Sequence, residues 1–469
     1  MEQLSGIDAT FLYLETPNAP MHIGGVSILD PRTPSGGRLG LDDLRRLMAA
    51  RLHLSRTFRQ RLVAVPLGLG RPYWIDDDAF DLAAHVERTR LPEPGGFREL
   101  AKLAAWEFAQ PLDRARPLWH LLLVEGLERV PGAPPGSVAL ITRIHHAAID
   151  GISGTEIMNA LYDATPEPRE VPPPEGAPEE AVPGKLELLR RTGGHVGAAG
   201  KALGRTVADT VGGALKGGAA WGLKRIKPPP FPFTAPRTRL NARVGKRRAW
   251  WAARLDIERV KEVKRRSGTT VNDVVLAICA GALRRYLLAK DELPAEPLVA
   301  MVPISIRTEE ERGAMGNQVS AMLVSLATDE ADPAARLARI RESALASKLY
   351  NQAIGARTLG DYGEVIPFGL AGVAARLYTR MNLAERHRPI FNLVITNVPG
   401  PQVPLYCGGA RLLAHLGAAP IFDGMGLIMP VFSYAGTLSI AALTCPQMMP
   451  DVDVFAGYLE ESLAELERA

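Results

Sequence analysis

Residues 145–151, His145-His146-Ala147-Ala148-Ile149-Asp150-Gly151, bring a proton acceptor, an acid and a tight-turn residue within one heptad. An imidazole with an ordinary pKa near ~6.5 is the side chain best suited to take a proton from an alcohol at neutral pH. Neighbouring residues at a strand end point to opposite faces, so one ring can meet a reacting group while the other packs or hydrogen-bonds. Two other readings stand beside this one, a pair of structural histidines and a metal site. Tetrahedral zinc needs a third and a fourth ligand, and apart from Asp150 the neighbourhood offers none, so no metal is expected.

The flanking segments are of the kind that would position such a pair. Residues 137–144 (SVALITRI) have the β-branched content of a strand, Asp150-Gly151 reads as its turn, and Ser153-Gly154-Thr155-Glu156 fits a capping box opening a helix to about Tyr162. A strand-to-helix connection is a place where reactive groups tend to sit. Upstream, strand-like 21–29, helical 41–52, helical 97–109 ended by Pro111, and apolar 118–124 alternate as mixed α/β layers. Residues 166–183 turn Pro-rich and acidic and read as an extended linker. Residues 185–227 carry nine Lys and Arg against only Glu187 and Asp209, set among apolar residues and glycines. Such a segment suits either an anionic bilayer surface or a solvated crossover between domains.

A second α/β unit begins near Arg239. Helix 257–266 should stop at Ser267-Gly268, and Thr270-Val271-Asn272-Asp273 fits a capping box for a helix to about Leu288. Strands are expected at 298–306, 319–326 and 392–396, and helices at 333–349 and 452–463. The uncharged stretch 424–450 has the length of a membrane span, but Pro430, Gly436 and Pro446 interrupt it. It reads better as two buried strands, 427–434 and 437–444, turning at Ala435-Gly436. The expected organisation is an N-terminal domain, 1–165, a linker and basic crossover, 166–238, and a C-terminal domain, 239–469.

Composition bounds the function. At 469 residues, 46% of them apolar, the chain can bury two cores. Fifty-five basic against 51 acidic residues leave +4, too little to imply a nucleic-acid partner. Cys279, Cys407 and Cys445 are widely spaced and form no CxxC, which argues against a disulfide framework and suits a reducing cytoplasm. The N-terminus lacks a basic n-region and apolar core, so no secretory signal is expected. No GxSxG occurs, which disfavours a serine hydrolase.

The heptad reproduces the HHxxxDG signature of the CoA-dependent acyltransferase superfamily, which includes chloramphenicol acetyltransferases, condensation domains and polyketide-associated acyltransferases. His145 and Asp150 also fit the shorter H-x4-D pattern of glycerolipid acyltransferases. Further blocks narrow the resemblance: residues 4–12 (LSGIDATFL), 21–24 (MHIG), Pro117-Leu118-Trp119, Asn272-Asp273, 302–307 (VPISIR), Gly316-Asn317 and 397–401 (NVPGP). Together, in this order and over nearly the whole chain, they resemble the bacterial wax ester synthase/acyl-CoA:diacylglycerol acyltransferase family.

The resemblance implies an α/β fold of two chloramphenicol-acetyltransferase-like domains with an active-site tunnel between them. It implies transfer of a long-chain acyl group from acyl-CoA to a fatty alcohol or diacylglycerol, with acyl-CoA as substrate and no cofactor. His146, the second histidine, would be the general base and His145 its packed neighbour. Asp150 would orient the turn, which Gly151 completes, by pairing with Arg307; the bland alternative is an exposed Asp-Gly turn. Asn272, in the first turn of its helix, is a candidate oxyanion donor or a helix-start residue with only local bonds. Pro117, Leu118 and Trp119 would shape the substrate cavity or simply pack in the core. A cytoplasmic protein, peripheral at the inner membrane face or on lipid droplets, is expected. Amide formation on carrier-bound substrates and catalytically idle lipid binding are the alternatives.

Overall fold

The structure, a computed structural model, describes residues 1–34, 36–66, 69–149, 153–172, 184, 186–188, 190, 229–305, 319–354, 377, 378 and 380–469. Fifteen strands and eight α-helices lie among the described residues. In chain order they are β1 (Glu2–Gln3), α1 (Gly6–Leu14), β2 (His22–Asp30), α2 (Leu41–Arg51), β3 (Gln60–Val63), β4 (Tyr73–Asp76), β5 (Val86–Arg90), α3 (Phe97–Glu107), β6 (Trp119–Leu127), β7 (Ser137–His145) and α4 (Ser153–Leu161). The second half holds β8 (Ala249–Asp256), α5 (Ile257–Ser267), α6 (Val271–Ala289), β9 (Val299–Ser305), β10 (Val319–Ser325), α7 (Pro333–Ile354), β11 (Leu393–Pro399), β12 (Tyr406–Cys407), β13 (Ala410–Ala418), β14 (Leu427–Tyr434), β15 (Thr437–Thr444) and α8 (Val452–Arg468).

Two six-stranded mixed sheets dominate, ordered β12-β13-β2-β7-β6-β5 and β10-β9-β11-β14-β15-β8; β1, β4 and β3 form a small third sheet. Every residue of β7 is buried, because helices or the second sheet cover both of its faces. On the outer face α2 and α4 pack against Leu121, Leu123, Leu140 and Ile144. On the inner face Val26, Ile28, Ala139 and Ile141 meet α3 and residues of the second sheet, including Ile428, Ala441 and Leu443. Each larger apolar side chain so buried contributes about 1.5–3 kcal/mol. Helices α5, α6, α7 and α8 enclose the other core, over the far face of the second sheet.

Local chemistry explains most element ends. The Thr270 hydroxyl accepts from the Asp273 N–H at 3.2 Å while the Asp273 carboxylate accepts from the Thr270 N–H at 2.9 Å, the reciprocal cap its sequence predicts for α6. Gly268, at φ +62°, closes α5 in the left-handed conformation that only glycine adopts without strain. The uncharged stretch is the β14–β15 hairpin, its turn made by Ala435 at φ +43° and Gly436 at φ +82°. No helix among the described residues is long and apolar enough to cross a membrane.

The sheets do not respect a boundary at residue 239. Strands β12 and β13, from the C-terminal half, complete the N-terminal sheet, with β13 running antiparallel to β2 from Arg411 opposite Asp30 to Ala418 opposite Gly24. Residues 406–418, which the sequence reading counts with 239–469, thus lie in the sheet built from the N-terminal half. The reason is an exposed polar edge: β2 has β7 on one side only, and β13 satisfies the backbone groups on the other. A buried ion pair reinforces the crossover. Arg51 of α2, 1% exposed, donates to both carboxylate oxygens of Asp163 at 2.9 and 2.8 Å, and Asp163 exchanges backbone hydrogen bonds with Tyr406. The Asp163 carboxylate thus anchors the strand that leads into β13.

Candidate active site

Strand β7 ends at His145, which lies opposite His22 of β2. Backbone bonds fix the exit from the strand: His145 N–H donates to Leu118 O at 2.9 Å, and His146 N–H to Met21 O at 2.8 Å. The chain then enters a single 3-10 turn, His146–Ala148, so the two rings leave the strand end in different directions.

The His145 ring is 1% exposed. Its Nδ1 accepts from Ala147 N–H at 3.0 Å, which leaves the ring proton on Nε2, 3.4 Å from Oε1 of Glu15. Glu15 ends α1 and also receives Arg114 Nε at 2.8 Å and Met21 N–H at 3.3 Å. Burial alone would raise the Glu15 carboxyl, but His145 and Arg114 outweigh it and hold the group down at about 2. Glu15, ionised, is therefore the fixed charge behind the histidine pair.

His146 is half-buried and stacks flat on Phe11 of α1, with ring centroids 3.7 Å apart and planes 9° apart. Among the described residues its Nδ1 is buried without a hydrogen-bond partner, as are Nε2 of His145 and Nδ1 of His22. Burial, aided by the neighbouring His145, lowers its pKa to about 4, so the ring is neutral at pH 7. His22 is likewise driven down to about 3, chiefly by burial, while its Nε2 bonds to Phe108 O at 3.1 Å. Arg143, two residues before the pair, meets Glu107 at 2.9 Å and donates to Gln110 O at 2.9 Å, tying the end of α3 to β7.

Other candidates fall into three groups. Asp150, Gly151, Arg307, Gly316 and Asn317 lie outside the described residues, as does nearly all of 185–227. Asn272 is in the first turn of α6, where its Oδ1 accepts from Asn397 Nδ2 of β11 at 3.5 Å. No hydrogen bond joins it to His145 or His146 among the described residues. The Pro117-Leu118-Trp119 block meets the heptad through the Leu118 carbonyl, which accepts from His145 N–H. Trp119 is 1% exposed, its indole N–H donates to Phe58 O at 3.1 Å, and it stacks on His85. Trp119 faces the outer core with Ile144, opposite it across the ladder, while His145 points the other way. Leu118 and Trp119 pack in the outer core, one of the two places the sequence leaves open for them.

Phe11, Glu15, His22 and Arg114 are not recognisable as site residues from sequence, since more than a hundred positions separate Phe11 and Glu15 from the heptad. The signals are the 4–12 block, which holds Phe11 and most of α1, and the 21–24 block, which holds His22. Among the described residues no group of His, Cys, Asp and Glu is placed to hold a metal ion.

Known proteins share both the sequence pattern and the architecture. Residues 4–275 match the wax ester synthase/diacylglycerol acyltransferase catalytic domain and residues 315–467 the C-terminal domain of the same family. A Mycobacterium tuberculosis protein named diacylglycerol O-acyltransferase MT1809 is 36% identical over 468 residues, covering 99% of this chain and 90% of its own length. Another from that organism, named diacylglycerol O-acyltransferase tgs2, is 35% identical, covering 100% of this chain and 99% of its own. The solved wax ester synthase/diacylglycerol acyltransferase of Marinobacter aquaeolei VT8 superposes with a TM-score of 0.69 at 29% identity, covering 99% of both chains. The first condensation domain of the calcium-dependent antibiotic synthetase, 14% identical, shares the fold with a TM-score of 0.55, covering 99% of this chain and 97% of its own. With both domains matched and relatives above 30% identity along its whole length, the chain is an acyltransferase and belongs to the wax ester synthase/diacylglycerol acyltransferase family.

Proposed function

We propose that the enzyme moves a long-chain acyl group from acyl-CoA to the hydroxyl of a fatty alcohol or of diacylglycerol, with His146 as general base and no acyl-enzyme. The observation that carries this reading is the His146 ring itself. It is neutral at pH 7 and stacked on Phe11, and its Nδ1 is buried with no hydrogen-bond partner among the described residues; such a buried polar atom calls for an explanation. A neutral imidazole accepts the hydroxyl proton as the alcohol oxygen bonds to the thioester carbonyl carbon. The C–S bond then breaks, and the same proton passes to the leaving thiolate, giving ester and free CoA. Such base catalysis contributes roughly 10²–10⁴-fold.

His145 and Glu15 serve a different end. They hold the turn: Nδ1 of His145 accepts from Ala147 N–H, and its Nε2 faces Oε1 of Glu15 at 3.4 Å. Asp150 is assigned the orienting role, paired with Arg307, and Asn272 the oxyanion donor. No metal or cofactor takes part in this scheme. Delivery of an apolar acceptor suits a protein held at a membrane or lipid-droplet surface, with residues 185–227 as its basic contact.

The test is a panel of hydroxyl acceptors with palmitoyl-CoA, scored by free thiol and by chromatography of the product. Thiol release with hexadecanol or diacylglycerol, matched by ester and surviving chelator, is the expected result. Thiol without ester would make the protein a thioesterase. No thiol with any hydroxyl would leave amide formation or idle lipid binding.

A further inference from the structure

A cavity of about 660 Å³ opens between α3, β8 with the loop before it, and the start of α8. None of the described heptad residues, 145–149, lines it. Its volume is that of a small-molecule site. Five cationic side chains line it, Arg98, Lys102, Lys246, Arg247 and Arg248, against one acidic group, Asp453, which Arg98 already neutralises at 3.0 Å. No carboxylate lies within ion-pair distance of the other four among the described residues.

Arg248 is the most telling of them. It is 6% exposed, and its guanidinium donates only to carbonyl oxygens, to Gly245 O at 2.7 Å and Arg247 O at 3.3 Å within its own loop and to Asn18 O at 2.6 Å. A buried charge without a counter-charge is costly, and here it fixes the loop that presents Lys246 and Arg247 to the cavity. The walls are aromatic: Trp251 is half-buried, and Trp106 on α3 is 59% exposed, an unusual setting for so large an apolar side chain. Four cations without acidic partners beside exposed indole rings match an anion that carries a flat or apolar body.

We propose that this cavity binds a phosphate-bearing ligand, its phosphates held by Lys102, Lys246, Arg247 and Arg248 and its ring or acyl portion lying on Trp106 and Trp251. Two sources share that chemistry, the nucleotide end of a soluble thioester and the headgroup of an anionic lipid. Arginine and lysine recognise phosphate through charge-assisted hydrogen bonds, and stacking on tryptophan accepts any flat base. Where the occupant is the nucleotide end of the thioester, the inference rests on the acyl transfer proposed above; its test reads binding alone, so failure of the esterification assay and failure of this site are told apart.

The experiment is calorimetric titration of the full chain with adenosine 3′,5′-bisphosphate and, separately, with a short-chain phosphatidate below its micelle concentration. Each is repeated with the double variant Lys102→Glu/Arg247→Glu, whose exposed side chains leave the core intact, and with Trp106→Ala. Binding of either probe should weaken about ten- to a hundredfold in the charge variant. It should fall less in Trp106→Ala and fade with salt in the native chain. The probe that binds names the source. No binding of either probe by the native chain, or equal binding by a folded charge variant, overturns the proposal.

Discussion

Replacing Glu15 by glutamine keeps the shape of the side chain and removes its charge. In the native chain the carboxyl sits at about 2 rather than its ordinary 4.5, against the opposing effect of burial, because the His145 N–H and Arg114 both favour the ionised form. At 1.36 kcal/mol per decade the difference corresponds to about 3 kcal/mol of stability. The sign follows from the direction: a carboxyl depressed by folding contributes fully above about pH 4.5, and its contribution is lost as pH falls towards about 2. Glu15→Gln should therefore unfold about 2–3 kcal/mol more easily at pH 7, and part of the native loss of stability between about pH 4.5 and 2 should vanish. Denaturant titrations at pH 7 and at about pH 3 measure both quantities. The variant should also turn over more slowly with little change in KM, since the turn that carries His146 is loosened while the rest of the site remains. Equal unfolding free energy at pH 7, with an unchanged acid slope, would refute the reasoning.

His146→Ala should lose roughly 10²–10⁴-fold in thiol release while circular dichroism shows the fold intact; near-native turnover would end its assignment as base. Because burial holds that imidazole at about 4, kcat/KM should show no limb from it between about pH 5 and 8 and should fall near pH 4. A half-maximum near 6.5 in a pH-rate profile would contradict this. Arg51→Met removes both hydrogen bonds to the buried Asp163 carboxylate and leaves it only the more distant, half-exposed Arg169 at 3.7 Å, so a loss of up to about 3–5 kcal/mol is expected in denaturant unfolding. The double replacement Arg51→Met/Asp163→Leu should recover much of that loss.

Local rules make much of the fold legible. The strand at β7, the reciprocal cap of α6, the glycine stop of α5 and the β14–β15 hairpin depend on a few adjacent residues, and each is found where the sequence places it. Strands β3 to β5, β8, β12 and β13 are not anticipated by the pattern. They are short, charged or lacking strict alternation, and they exist because a neighbour needs its edge covered, a fact stored elsewhere in the chain. The site divides the same way. His145 and His146 stand out by adjacency and by the family pattern, whereas the carboxylate that faces His145 belongs to Glu15, about 130 residues earlier. Two places stay open for Trp119 in the sequence because a motif beside a strand end does not say which face its side chain takes. One residue of register decides it.

The strand shared between the halves sets the order in which the protein can be made. When β2 leaves the ribosome its partner β13 lies about 380 residues downstream, so at typical synthesis speeds the N-terminal sheet waits roughly 20–80 s with one side unpaired. During that interval the open flank of residues 22–30 is a template for any other extended chain, and a nascent fragment ending near residue 165 is an aggregation hazard that depends on chaperones. A gene cut at the linker would for the same reason give two insoluble pieces, which recover the fold only when synthesised together.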